Sequence, residues 1–377
     1  MGGAERQAMQ MALSLHRRSW RVTMVALSGS GGASAGELRA AGVEFLSLEM
    51  RKGLADPRGW LRFHRWLKRE RPDVVHAHLP HAAWMARWSR IAAHVPVVID
   101  TIHSSSTGTV GRQLGYALSR WLPDQVTAVS QAAAASHLAA GMVSEKKLAV
   151  LANGIDVDDW RADQKARDEV RLEFNVRGEF LWLSVGRLDP VKDFPALMAA
   201  MAQLPGTARL VILGEGPMRS ELLQLAERIG VSRRVDFRGF ESNVKRWLQS
   251  ADGFVLTSRY EGLPMVLLEA GACGVPAVAT DVAGTREVLV HGETGWLARA
   301  GDASALAAEM MRLMAMTPAE RRGMGERART RVVEHFSLDA ILDQWEELYC
   351  GLPERNANRR IRLSTRSALT HSSATQA

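Results

Sequence analysis

The chain has 377 residues, 46% of them hydrophobic and 24% charged, a length and balance that fit two globular domains of ordinary size better than one. Two cysteines, Cys273 and Cys350, are too few and too far apart for a disulfide scaffold or a cysteine zinc cluster, and they suit a reducing compartment. The net charge of +7 is unevenly placed: residues 1–155 hold 19 Lys and Arg against 10 Asp and Glu, and the remainder 29 against 31. The first half is therefore the one expected to meet an anionic partner, whether a phospholipid surface, a pyrophosphate-bearing acceptor or nucleic acid. No apolar run reaches the ~18 residues of a membrane helix. The opening MGGAERQAMQ has neither the charged nor the apolar region of a secretory signal, so a cytoplasmic location is expected.

In chain order, short apolar runs alternate with helix-period segments, which argues for βα units and parallel sheets. Ala8, Met11, Ala12 and Leu15 share one helical face. Strands are expected at Val22–Leu27, Val43–Leu48, Val74–Ala77, Val97–Ile99 and Gln125–Val129. A helix over Ala33–Ala41 stops at Gly42, and Asp56-Pro57 caps a helix running to about Arg69. The polar segment Asp158–Arg177 reads as a linker. A second series of strands follows at Phe180–Val185, Ala208–Leu213, Val235–Phe237, Gly253–Leu256 and Ala277–Ala279, as a doubly wound sheet requires. Helices close the chain at about Ala303–Met316, Pro318–Glu334 and Leu338–Tyr349. Residues 352–377, rich in Arg, Ser, Thr, Asn and Ala without apolar periodicity, read as a disordered tail.

The strongest chemical signal is Ser258-Arg259-Tyr260-Glu261-Gly262-Leu263-Pro264, continued by Met265–Ala270 with Glu269. A strand ends just before it, Gly262 permits a tight loop, and Pro264 suits a helix start. Free backbone N–H groups at such a helix start are a ready phosphate site. Glu261 lies in the loop and Glu269 two turns along the helix, so the two reach different parts of one ligand. A second signal, Gly186-Arg187-Leu188-Asp189-Pro190-Val191-Lys192, also follows a strand, and its two cations straddle a turn where both can converge on a diphosphate.

Two glutamates with seven residues between them in this strand–loop–helix setting resemble the signature of retaining glycosyltransferase family 4, whose fold is GT-B: two Rossmann-like domains facing across a cleft. The resemblance covers roughly residues 2–350 and implies transfer of a sugar from a nucleotide-diphosphate donor to a hydroxyl acceptor, a lipid-linked or growing bacterial surface glycan. It assigns Glu261 to the donor sugar, Glu269 to the ribose, and Arg187 with Lys192 to the departing diphosphate. The family pattern has Gly after the lysine, where this chain has Asp193. Gly214, in Leu213-Gly214-Glu215-Gly216, resembles the turn near the nucleotide. Gly239 and Phe240 stand where the family holds the base, and Gly262 with Leu263 completes the donor loop. Asn153-Gly154-Ile155-Asp156 resembles the hinge-proximal turn. On the acceptor side, Gly2-Gly3 resembles the glycine loop approaching the donor phosphate, and His103 the histidine facing the reaction centre.

The resemblance implies domains at 1–157 and 178–336, joined by a linker at 158–177, with a helix at 337–351 returning to the first domain. It implies a UDP-sugar rather than a GDP-sugar, no cofactor and no obligatory metal, since Arg187, Lys192 and a helix N-terminus would carry the leaving-group charge. His76-Ala77-His78, with His81 beyond, has metal-ligand spacing, but Pro80 stands where the hydrolase pattern needs an acid, so a strand is expected there instead. The basic helix with Arg58, Trp60, Arg62, Arg65, Trp66, Lys68, Arg69 and Arg71 is expected to pack Trp60, Phe63 and Leu67 on the sheet while its arginines face lipid headgroups. Family members carry a strand before the Gly-Gly loop, and this chain starts at that loop, so a central strand of the first domain is expected to be missing. A 2-epimerase of nucleotide sugars on the same fold is the nearest rival. A non-catalytic basic protein on membrane or nucleic acid leaves Glu261 and Glu269 unexplained. A dinucleotide oxidoreductase lacks its glycine fingerprint.

Overall fold

Alternating strands and helices run through almost the whole chain in the computed structural model, which describes residues 3–29, 31–51, 56–93 and 95–352. Gly2 and the tail beyond residue 352 lie outside the described residues. The first half runs α1 (Gly3–Arg17), β1 (Thr23–Ala26), α2 (Gly32–Ala40), β2 (Glu44–Ser47), α3 (Pro57–Glu70), β3 (Val74–His78), α4 (Pro80–Ala92), β4 (Val97–Ile102), α5 (Val110–Ser119), β5 (Gln125–Ala128), α6 (Gln131–Ala139) and β6 (Leu148–Val150). Asp56 caps α3 by accepting from Arg58 N–H, and Pro57 supplies the fixed φ of the first turn.

These parallel strands fall in two sheets, β1-β2 and β3-β4-β5-β6, and no described strand joins β1 to β3. That division lies where the absent central strand was expected. Helix α1 lies against both pieces: Met11 and Leu15 pack with Val97 and Ile99, while Met9 and Ala12 pack with Leu38 and Val43. On the opposite face, Phe63 and Leu67 of α3, Ala83 and Ala86 of α4 and Tyr116 of α5 share one apolar cluster. Under it, Arg87 and Asp100 form a fully buried pair, Nε to Oδ1 at 3.0 Å and Nη2 to Oδ2 at 2.8 Å.

The second half runs α7 (Gln164–Glu173), β7 (Phe180–Val185), α8 (Phe194–Gln203), β8 (Ala208–Leu213), α9 (Arg219–Arg228), β9 (Val235–Gly239), α10 (Val244–Ser250), β10 (Gly253–Leu256), α11 (Met265–Ala272), β11 (Ala277–Thr280), α12 (Ala283–Val288), β12 (Gly295–Ala298), α13 (Ala303–Ala315) and α14 (Pro318–Phe336). Its six strands form one parallel sheet in the order β12-β11-β10-β7-β8-β9. Every residue of β10 and β11 is buried, as a sheet covered by helices on both faces demands.

The segment expected to be a linker, 158–177, differs from that reading. It carries α7, whose Val170 sits in the second half's core, and Arg167 and Arg171 both bond the Asp252 carboxylate just before β10. The chain crosses between halves nearer Ile155 and Ser337, which pair with each other: Ile155 N–H donates to Phe336 O at 2.9 Å and Leu338 N–H to Ile155 O at 2.9 Å. Residues 338–352 are helical, and Ile341, Leu342, Trp345 and Tyr349 pack in the first half beside Leu15 and Ile99.

Removing the Arg87 guanidinium would leave the Asp100 carboxylate charged and buried without its partner. Arg87→Ala is expected to destabilise the first half by about 3–5 kcal/mol, read as an earlier transition in urea. A change within about 0.5 kcal/mol, as at an ordinary surface site, would contradict this account.

Candidate active site

The second sheet reverses its direction of growth at β7, which has β8 on one side and β10 on the other. Ligands of open α/β sheets bind at the carboxyl ends of the strands flanking such a reversal. The loops after β7 and β10 emerge there side by side. The first carries Lys192 in a short 3-10 turn, Pro190–Lys192, whose N–H groups are capped by Asp189. The second carries Glu261. Lys192 Nζ lies 2.5 Å from Glu261 Oε1, and Ser258 Oγ donates to the same oxygen at 2.6 Å.

Asp193, standing where the family pattern has glycine, adopts a left-handed φ of 47°, a conformation that aspartate tolerates better than most residues. Its carboxylate accepts from Arg259 Nε at 3.0 Å, so the extra acid is engaged by its own cation. Arg187 is not drawn into this cluster. It is 73% exposed and lies 3.9 Å from Asp189.

Glu269 sits on α11 and is 5% exposed. Burial pushes its carboxyl up to about 7, and the guanidinium of Arg6, 3.7 Å away on α1 of the other half, pulls it part of the way back. A buried acid so weakly compensated is costly to hold charged and is suited to receive a hydrogen-bond donor from a ligand.

Gly214 stands at φ 140°, and a Cβ there would meet Gly186 O at 1.9 Å, so only glycine lets the loops after β7 and β8 lie backbone on backbone. Gly214 N–H in turn donates to Gly239 O at 2.7 Å. Phe240, next along, is 74% exposed. Leu263 is buried in the core of the second half, anchoring the loop that holds Glu261.

His103 follows β4 and faces this loop from the first half. A Cβ on Gly262 would come within 2.3 Å of His103 O, so the two backbones touch. Ser105 Oγ donates to Glu261 O at 3.1 Å, and Glu287 accepts from the N–H groups of Gln131 and Ala132 at 3.0 Å each. The latter places a carboxylate on the positive end of α6. Gly3 opens α1, and a Cβ there would meet no described atom within 4 Å.

The sequence reading missed His78. Its Nδ1 lies 2.9 Å from His103 Nε2, and burial holds His103 down at about 4 and His78 well below its ordinary value. Both rings are therefore neutral near pH 7, and one bond between them fixes how His103 is turned. His76 is engaged by the Tyr349 hydroxyl at 2.7 Å and by Thr101 Oγ1 at 2.6 Å. The spacing of His76 and His78 on one strand was the available signal, read then only as a metal question. Among the described residues no group of three or more His, Cys, Asp or Glu is placed to hold a metal. Ser258 bonds a glutamate three residues along its own loop, whereas no local pattern marks Arg6 as the partner of the distant Glu269.

Two family models match the chain: "Glycosyltransferase Family 4" over residues 1–159 and "Glycosyl transferases group 1" over residues 167–331. The lipopolysaccharide core biosynthesis glycosyltransferase LpsE of Rhizobium meliloti is 28% identical over 356 residues, covering 93% of this chain and 97% of its own length. The glycogen synthase of Mycobacterium tuberculosis is 30% identical over 303 residues, or 74% of this chain and 69% of its own. The crystal structure of Anabaena Alr3699/HepE in complex with UDP-glucose superposes with a TM-score of 0.83 at 21% identity, covering 93% of this chain and 96% of that one. At that identity the likeness is one of fold.

Glu269 has a testable consequence. Its folded value of about 7 lies above the ordinary 4.5, so the folded state keeps this proton to higher pH than the unfolded chain does. The stability this confers is complete below about pH 4.5 and is lost as pH rises through about 7, a span of about 3 kcal/mol. Glu269→Gln stays neutral throughout and should be the more stable protein at about pH 8, with the two converging toward about pH 4. Parallel pH profiles of the urea midpoint would contradict the assignment.

Proposed function

The chain belongs to glycosyltransferase family 4 and has the GT-B fold, and from that premise we propose that it transfers a sugar, with retention, from a UDP-sugar to a hydroxyl of a lipid-linked or growing bacterial surface glycan. The observation that supports this reading most is the meeting of Lys192 and Glu261 at 2.5 Å at the reversal point of the sheet, with His103 opposite. Both side chains are only part-buried, and an ion pair reached by solvent adds little to folding, so stability alone gives weak reason for the two charges to meet there.

In this reading the donor diphosphate takes Lys192 away from Glu261. Lys192 and Arg187 then meet the phosphate oxygens, and the Glu261 carboxylate is released to accept from sugar hydroxyls. As the bond from the anomeric carbon to the diphosphate oxygen breaks, negative charge gathers on the leaving group, where Lys192 and the N–H groups near Leu263 stabilise it. That work requires no divalent cation. The acceptor hydroxyl attacks from the leaving-group face, and its proton passes to the departing phosphate oxygen. Glu269 accepts from the ribose hydroxyls, and Gly239 and Phe240 flank the base. A name of the kind LpsE carries, in lipopolysaccharide core biosynthesis, supports a surface glycan as the acceptor class.

UDP should raise the thermal unfolding midpoint by mass action, and UDP-sugars should do so more than GDP-sugars. Ribose hydroxyls that donate to Glu269 favour its charged form, so UDP affinity should rise as pH passes upward through about 7. Lys192→Ala is expected to lower kcat by about a hundredfold or more while the fold stays intact, and EDTA should leave turnover unchanged. The decisive experiment incubates the enzyme with UDP-sugar and a lipid-linked acceptor and analyses the anomeric configuration of the product. An inverted product, or an isomerised sugar formed without acceptor, would refute the reading.

A further inference from the structure

Four large apolar side chains stand in solvent along one side of α5 and its exit: Val110, Leu114, Leu118 and Trp121, each more than half exposed. Their spacing of four, four and three residues puts them on a single helical stripe. The opposite side of α5 is the buried one, through Tyr116 and Ser119. The stripe is therefore a surplus apolar face, not a mispacked core face.

A second stripe runs beside it on α4, made by Trp84, Ile91 and the half-buried Trp88. The two helices are tied in step: Trp84 Nε1 donates to Gly115 O at 3.3 Å, Arg87 Nη1 to Ser119 Oγ at 3.0 Å and Arg90 Nη1 to Leu122 O at 2.8 Å. Both stripes thus face outward together. Soluble surfaces rarely keep contiguous apolar side chains of this size without a partner.

The neighbouring helix supplies the charge. Phe63 and Leu67 turn α3 inward on the same core as α4 and α5, so its outer side faces the same way, with Arg58, Arg65, Lys68 and Arg69 exposed on it. Arg112 and Arg120 are exposed on and after α5. The three helices contain one acid, Glu70, which already meets Arg21 and Arg69. An apolar band carrying tryptophans and edged by arginines matches the boundary between anionic headgroups and acyl chains. No described helix is long and apolar enough to cross a membrane.

We propose that the outer face of α4 and α5, with the basic side of α3, docks this chain on an anionic phospholipid bilayer. The face begins seven residues after His103, at the end of the loop that also carries Ser105, so docking brings the bilayer to the acceptor side of the cleft. Its use for a lipid-linked acceptor rests on the reading above, whereas the surface itself does not.

The test is sedimentation of the full chain with phosphatidylcholine vesicles and with phosphatidylcholine–phosphatidylglycerol vesicles. The wild type should bind the mixed vesicles, less so as salt is raised, and Leu114→Glu/Leu118→Glu should bind them about tenfold or more weakly. Arg65→Glu/Lys68→Glu should also weaken binding while leaving both stripes in place. Stabilisation by UDP is measured on the same samples. If vesicles bind and UDP fails to stabilise the wild type, the docking face stands and the donor reading falls. A wild type that ignores anionic vesicles, or stripe variants that bind them unchanged, would overturn the proposal. So would a wild-type dimer that the stripe variants convert to monomer, because a second copy would then cover the face.

Discussion

Strands β7 and β10 are neighbours in the sheet although β8 and β9 come between them in sequence. That adjacency fixes how far apart the loops after them can be, and hence the approach of Lys192 to Glu261. The cost of desolvating and ordering two charged side chains is met by the sheet, where β10 is buried throughout and β7 in all but its last residue, which leaves the loops little freedom at their roots. The stacking of Gly186 against Gly214 extends the same constraint to the loop after β8. A site set by backbone packing is preorganised in the sense that matters for leaving-group stabilisation: its charges need not be gathered at the moment of reaction.

Across the cleft, several contacts between the two halves lie around this loop cluster. Gly262 touches His103, Ser105 reaches the Glu261 carbonyl, Arg6 approaches Glu269, and Glu287 seats on the first turn of α6. Apart from the backbone contact, each is polar and modest in worth, and together they are the kind of interface that opens readily for ligand exchange. The pairing of Ile155 with Ser337 holds the two crossing strands of chain together at the base. The flexible element is therefore confined to a narrow waist, since α7 is packed firmly on the second half and cannot serve as a long tether.

Much of this was legible in the residues. Phe180–Val185, Ala208–Leu213 and Gly253–Leu256 are strands with the bounds that their apolar runs give, because a strand buried on both faces announces itself as a near-continuous apolar run. The three-residue β6 and the edge strand β12, Gly295–Ala298, are short and only partly buried, and were not anticipated. Helix α7 was read as linker because its charge hides how few apolar residues it takes to anchor a helix: Val170, with Arg167 and Arg171 on Asp252, does so. The Glu261 and Glu269 loop and the Lys192 turn could be picked out from local pattern. Their long-range partners could not, since the bonds of Lys192 to Glu261 and of His78 to His103 depend on strand order and not on spacing.

The charge asymmetry of the sequence acquires a physical meaning once the two halves are compared. The second half is balanced overall, and around its cleft a few groups are held in fixed pairs, Lys192 with Glu261 and Arg259 with Asp193, where local geometry decides the interaction. The first half spreads its excess over exposed helix surface, where only a field can act and where solvent and salt screen any single pair. A small, precisely charged ligand needs the former arrangement, and an extended surface of like charges needs the latter. The sheet of the first half reflects the same division, for β1 is only half-buried throughout and β1-β2 stand apart from β3-β6. A half whose core is shared between two sheets and bridged by α1 has less reason to hold a rigid pocket, and more freedom to devote its helices to an outer face.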